Sequence, residues 1–287
     1  MQDDSISSKT GRNRGFVFII ATNVITAGID YCVFSPDMPE IIQTATWQQW
    51  LILAIVAIAI GMSKAGLGFG LMVVPLLAFG FGARESTGVM IPMLITADIF
   101  AVAYYHRMAE WKHIIRLLPW ATLGILAGAA TGKMVSAAQF RAILSAIVVI
   151  GLIIMILRDL RRKTETIPTH PGFAIILGIL GGFSSMVGNA AGPIFAIYLL
   201  AMRLPKNTYI GTGAWFYLIV NVIKLPFHIW AWKTITPDSL MLNFIAIPVI
   251  LGGAWAGIRM VKWFNEHSYR LFIMVMTLLS ALFLFFR

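Results

Sequence analysis

The sequence holds a single cysteine, Cys32, and few charges: Asp, Glu, Lys and Arg make up 12% of its 287 residues. One thiol excludes an intrachain disulfide framework, and without a CxxC or a His/Cys cluster no metal site is expected. A soluble domain carries roughly twice this charge fraction. Acid is scarcer than base, 12 Asp and Glu against 22 Lys and Arg. In a soluble chain a net charge of +10 would point to nucleic acid. Here the basic residues cluster between apolar runs, as they do in the cytosolic loops of membrane proteins. HExxH, GxSxG and paired-aspartate motifs are also missing, and Ser184 and Ser185 have no convincing base near them in sequence. No enzymatic activity and no cofactor are expected.

What is present is hydrophobic. Apolar residues make up 59% of the chain and the mean hydropathy is +0.84, which predicts an all-α integral membrane protein. Residues 1–47 read as a short cytosolic tail, an extra N-terminal helix at 15–34 and an outer linker containing SPDMPE. This first run lacks a small-x-small cleavage site, so it is taken as a retained helix. Further apolar runs fall at about 48–62, 69–82, 86–105, 114–132, 140–157, 172–187, 191–202, 207–229, 240–258 and 269–286. Most can cross about 30 Å of hydrocarbon. The pairs 48–62/69–82 and 172–187/191–202 are short, and each flanks a Gly-rich break.

Charge indicates how those pairs run. If the N-terminus is cytosolic and each pair returns to its starting side, only Arg84, Lys133, Arg141, Lys224, Lys233 and Arg287 lie outside, and Lys64 lies within the membrane. Every other Lys and Arg, including the run RDLRRK at 158–163, then lies inside. If the first pair crossed only once, that run would fall outside. Residues 48–163 and 164–287 then each hold one returning hairpin and three crossings, so the halves enter the membrane in opposite orientations.

The halves also resemble each other. GMSKAGLGFG at 61–70 is answered by GFSSMVGNAAGP at 182–193, and RESTGV at 84–89 by KNTYIGTG at 206–213. Asp98 follows Gly88 as Asn221 follows Gly211, and His106 and His228 keep matching distances from Arg84 and Lys206. ILAGAATG at 125–132 is matched by ILGGAWAG at 250–257. The order of these matches predicts an inverted repeat of two halves.

Irregular backbone survives inside a bilayer only against protein or water. A half-helix beginning there aims free N–H groups at a cavity, which suits an anion. Lys64 adds a full charge, and Ser63, Ser184, Ser185 and Asn189 add donors suited to oxyanion oxygens. The alternative is that the glycines only permit close helix packing while Lys64 snorkels or pairs with Asp98. Asp98 itself has two open roles, proton carrier or Lys64 counter-ion. Asn221 and Lys224 are polar groups on a span and join it as coupling or gating candidates. His106 and His228 could relay protons or rest at the interface, and Trp215 could line the cavity or pack. Tyr104, Tyr105, Trp111, Trp230 and Trp232 fit aromatic belts. Replacing Lys64 by an apolar residue is expected to weaken anion binding and leave folding intact.

GMSKAGLGFGLMVVPLL and GGFSSMVGNAAGPIFAIYLL resemble the paired signature segments of the TauE/SafE sulfite and organosulfonate exporter family, over about 48–286. The resemblance places the family's motif on Ser63, Lys64, Gly66, Gly68, Gly70 and Pro75, then on Gly181, Gly182, Ser184, Gly188, Gly192 and Pro193. It implies a secondary transporter in the bacterial inner membrane, exporting sulfite or a C2–C3 organosulfonate and coupled to protons. Its partners would be the small anion, protons and membrane lipid. An anion channel, or an importer of another small anion, is the rival reading. The anion-binding set is then Ser63, Lys64, Gly66, Gly68, Gly70, Ser184, Ser185, Gly188, Asn189 and Gly192.

Overall fold

The computed structural model describes residues 45–68, 70–81, 85–131, 149, 153 and 170–285. The N-terminal helix expected at 15–34, almost all of the run at 140–157 and the basic run at 158–163 lie outside the described residues. Every described regular element is helical. In chain order they are α1 (Trp47–Met62), a π-helical turn (Ser63–Leu67), α2 (Gly70–Phe81), α3 (Glu85–Tyr105) and, after a short 3-10 turn (His106–Met108), α4 (Trp111–Thr131). Then come α5 (Pro171–Gly188), α6 (Gly192–Ala201), α7 (Lys206–Pro226) with a second π-helical turn (Phe227–Ala231), α8 (Pro237–Val261) and α9 (Glu266–Phe285). Among the described residues, six stretches can cross a membrane by length and composition: Trp47–Leu67, Ser86–Met108, Trp111–Thr131, Pro171–Gly188, Lys206–Ala231 and Pro237–Val261.

Polar residues are used sparingly, and many of them cap helix ends. Thr46 and Gln49 form a capping box that starts α1, and Thr236 and Ser239 form one before Pro237 at the start of α8. The Lys206 backbone N–H donates to Glu266 Oε2 at 2.6 Å, while its Nζ donates to the carbonyls of Val261 and Phe264 at 3.2 and 2.5 Å. Arg270 donates to the Leu200 carbonyl at 2.7 Å. Helix ends left with unpaired backbone groups are thereby satisfied by charges of the favourable sign.

Both breaks reverse the chain. Gln49, at the start of α1, donates from Nε2 to the Gly80 carbonyl at the end of α2, 2.9 Å away. Phe173, at the start of α5, stacks on Tyr198, near the end of α6, with ring centroids 5.9 Å apart. The arms are unequal. At 12 and 10 residues, α2 and α6 fall well short of the roughly 20 needed to cross a bilayer. The first arm is longer than the apolar run at 48–62, because the helix continues through Ser63, Lys64 and Ala65 before it kinks at Gly66. Gly66 there has φ +114° and Gly68 φ +71°, conformations that L side chains adopt only with strain.

Each hairpin leans on a helix from the other half. The α1 backbone at Gly61 sits against the Ile250 carbonyl and the Ala254 N–H of α8, and Gly253 of α8 sits against Ile58. On the other side, Gly182 of α5 meets the Ala121 carbonyl of α4, and Gly124 of α4 meets the Ile179 carbonyl. The central helices α3 and α7 pack together with a similar exchange. Gly88 at the start of α3 meets the Thr234 carbonyl, and Gly211 near the start of α7 meets the Tyr105 carbonyl. The apolar core accordingly has two main parts, one of α1, α2, α3 and α8 and one centred on α4, α5, α6, α7 and α9.

Candidate functional site

A cavity of about 120 Å³ lies between the two breaks, where these parts meet. At about 30 Å³ per water, this is roughly four waters, enough for a small oxyanion. The first break contributes Ser63, Lys64, Gly66 and Gly68, and the second Ser185, Asn189, Ala191 and Gly192. Tyr217, Asn221 and Lys224 of α7 form a polar wall, while Met90, Leu94, Ile273 and Met276 make an apolar one.

Three helices meet through charge. Lys64 Nζ is 2.8 Å from Asp98 Oδ1, and Asn221 Nδ2 donates to Asp98 Oδ2 at 2.6 Å. Asp98 is fully buried, so its ionised form depends on these two partners. Of the two roles the sequence left open for Asp98, the counter-ion contact with Lys64 is therefore present. The Lys64 ammonium also lies 4.3 Å from the centre of the Tyr217 ring, a cation–π distance. The Tyr217 hydroxyl donates to the Gly192 carbonyl at 3.3 Å, joining the two breaks.

Lys224 is placed differently. Its Nζ donates to Asn189 Oδ1 at 2.7 Å and to the Ser185 carbonyl at 3.3 Å, both neutral acceptors. Asn189 ends α5 in a left-handed conformation, φ +50°, which turns its side chain toward Lys224. Beyond it α6 starts at Gly192 with no side-chain cap, and Ala191, Gly192 and Pro193 of this end line the cavity. The first break is braced from the far end of the chain, since the Tyr269 hydroxyl donates to the Gly66 carbonyl at 2.8 Å.

Of the predicted anion-binding residues, Ser63, Lys64, Gly66, Gly68, Ser185, Asn189 and Gly192 line the cavity. Ser184 is buried and donates to the Gly181 carbonyl of its own helix at 3.1 Å, and so lies outside the lining. Gly70 begins α2 and Gly188 ends α5, next to the cavity but not among its lining residues. Among the coupling candidates, Asp98, Asn221 and Lys224 belong to the polar cluster. His106 is exposed at the end of α3, with Nδ1 3.1 Å from the Ala103 carbonyl. The Trp215 ring packs at a tilt on Trp111, centroids 5.2 Å apart, and donates to the His106 carbonyl at 3.4 Å, away from the lining. His228 is buried at the second π-helical turn, 2.9 Å from Thr234 Oγ1 and outside the lining. Sequence reasoning missed Tyr269, Thr277 and Ser280. With Ile273 and Met276 they recur at three- and four-residue steps along one face of α9, a helical stripe that was there to be found.

Membrane-length helices, two chain reversals and a lysine-lined cavity between them make the layout of a membrane transport protein. Residues 51–284 match the family model described as Sulfite exporter TauE/SafE, and the chain belongs to that family, whose members are transporters. No curated protein and no solved structure matches the chain.

Proposed function

We propose that the protein is a secondary carrier exporting a small sulfur-containing anion, sulfite or a C2–C3 organosulfonate such as sulfoacetate or a taurine-like compound, in exchange with protons. The observation that carries this is a pair of lysines beside a small cavity between two helix breaks, Lys64 in contact with one carboxylate and the buried Lys224 held by neutral acceptors. A monoanion about 4 Å from an uncompensated ammonium gains about 4 kcal/mol at an effective dielectric near 20, before desolvation. The apolar wall of Met90, Leu94, Ile273 and Met276 favours an anion that carries a short carbon chain. Proton coupling is assigned to Asp98, the carboxylate in contact with Lys64 among the described residues.

The reading includes an inverted repeat, 48–163 and 164–287, whose hairpins are re-entrant. The crossed packing of α1 on α8 and of α5 on α4 supports it, since a two-fold axis in the membrane plane generates such an exchange. In a bacterial inner membrane the N-terminus would be cytosolic. Single cysteines at positions 170 and 203, flanking the second hairpin, should then be labelled from one face and a cysteine at 46 from the other. Labelling of 170 and 203 from opposite faces would exclude re-entrance.

Transport is tested in proteoliposomes with sulfite, sulfoacetate and taurine. A carrier gives saturable flux and counterflow, whereas a channel gives neither. With Asp98→Asn, anion binding should persist and the pH dependence of flux should disappear. A pH profile that survives this substitution rules out Asp98 as the proton site.

A further inference from the structure

We infer that Lys224, not Lys64, is the anion's principal ligand, and that the site thereby selects for a single negative charge. This rests on the anion-carrier reading above and assigns roles within it. Lys64 is compensated twice, by Asp98 at 2.8 Å and by the Tyr217 ring at 4.3 Å. An anion approaching it meets the field of the carboxylate as well as that of the ammonium. No carboxylate pairs with Lys224 among the described residues; its donors go to Asn189 Oδ1 and the Ser185 carbonyl. An ammonium has three donors, so one remains for a ligand in the cavity that Lys224 lines. The two acceptors hold the charge without neutralising it.

Counting charge gives the selectivity. With all three groups ionised, two lysines and one aspartate leave one positive charge: Lys64 and Lys224 are the charged residues of the lining, and Asp98, outside the lining, touches Lys64. A monoanion closes that balance. A dianion leaves a negative charge buried without a partner, which a low-dielectric site penalises. Among the proposed anions, the hydrogensulfite form of sulfite and singly charged sulfonates are therefore favoured over sulfoacetate, which carries both a carboxylate and a sulfonate. Asn189, in the left-handed conformation at the end of α5, holds one Lys224 donor with its side-chain carbonyl and so orients the remaining donor for the anion.

The test measures equilibrium binding of methanesulfonate, a monoanion, and of sulfate, a dianion, to the purified full-length protein. The unaltered protein should prefer methanesulfonate. Lys224→Met should weaken methanesulfonate binding by at least about tenfold, or about 1.4 kcal/mol, and Lys224→Arg should recover part of the loss. Asp98→Asn adds one net positive charge and should shift the preference toward sulfate. If Lys224→Met does not fold, Lys224→Gln, which keeps a donor, is read in the same assay with the same expected direction. Methanesulfonate binding unchanged in the position-224 variants, or no shift toward sulfate in Asp98→Asn, overturns the inference and leaves the carrier reading standing. Failure of the unaltered protein to bind either anion, together with failure to bind sulfite or sulfoacetate, overturns the carrier reading and this inference with it.

Discussion

Replacing Lys64 by methionine should destabilise the protein by about 3–5 kcal/mol, the usual cost of removing one partner from a buried ion pair. From the sequence alone the opposite is expected, because an apolar side chain is cheaper than an ammonium inside a bilayer. The contact between Lys64 and Asp98 changes the balance. Asp98 has no exposure to solvent, and among the described residues Asn221 would be left as its one hydrogen-bond partner, with Lys224 acting at a distance. The carboxylate would have to take up a proton or stay ionised in a medium that solvates it poorly. Combining Lys64→Met with Asp98→Asn removes both charges and leaves two amides able to pair, so most of the stability should return. Thermal unfolding in detergent, followed by tryptophan fluorescence, measures the cycle. The single variant should melt well below the unaltered protein and the double variant close to it. If Lys64→Met alone melts like the unaltered protein, the pair contributes nothing to folding and Asp98 is held by other means.

The two breaks were legible in the sequence because glycine, serine and lysine interrupt runs that are otherwise continuously apolar. The internal matches were legible too, since they need only equal spacing. Spacing fixes register along a helix and says nothing about neighbours. His106 and His228 occupy matching places in the two halves, yet one is exposed and the other is buried beside Thr234 and Trp232. Ser184 and Ser185 are adjacent in sequence, so a helical rotation of about 100° separates them. That rotation takes Ser185 to the cavity and Ser184 to a carbonyl of its own helix. The length of the first arm was also not visible, because glycine reads as a helix end and the π-helical turn continues past Gly61. Tyr269 stands about two hundred residues from the Gly66 carbonyl it braces, and no local pattern reports a contact at that separation.

Alanine at Gly61 or Gly182 should disrupt the fold, as should alanine at Gly88 or Gly124, where an added Cβ would likewise run into a backbone carbonyl. At Gly61 an added Cβ would collide with the Ile250 carbonyl and stand 2.6 Å from the Ala254 backbone nitrogen. At Gly182 it would collide with the Ala121 carbonyl. Both obstacles are helix backbone, which cannot rotate away as a side chain can, so each helix pair must separate along its length. Overpacking of a well-packed interface costs about 1–3 kcal/mol even where side chains can adjust, and the upper part of that range is expected here. Small residues that let backbones approach are also what holds helices together in lipid, where no hydrophobic force drives them inward. Gly252 is the control, because a Cβ there meets nothing within 4 Å although it lies on the same helix as Gly253. Expression and monodispersity in detergent should fall for Gly61→Ala and Gly182→Ala and hold for Gly252→Ala. Because each hairpin carries one wall of the cavity, variants that still fold should also lose anion binding. Equal behaviour of all three variants would mean that the close approaches of α1 to α8 and of α5 to α4 do not position the two breaks.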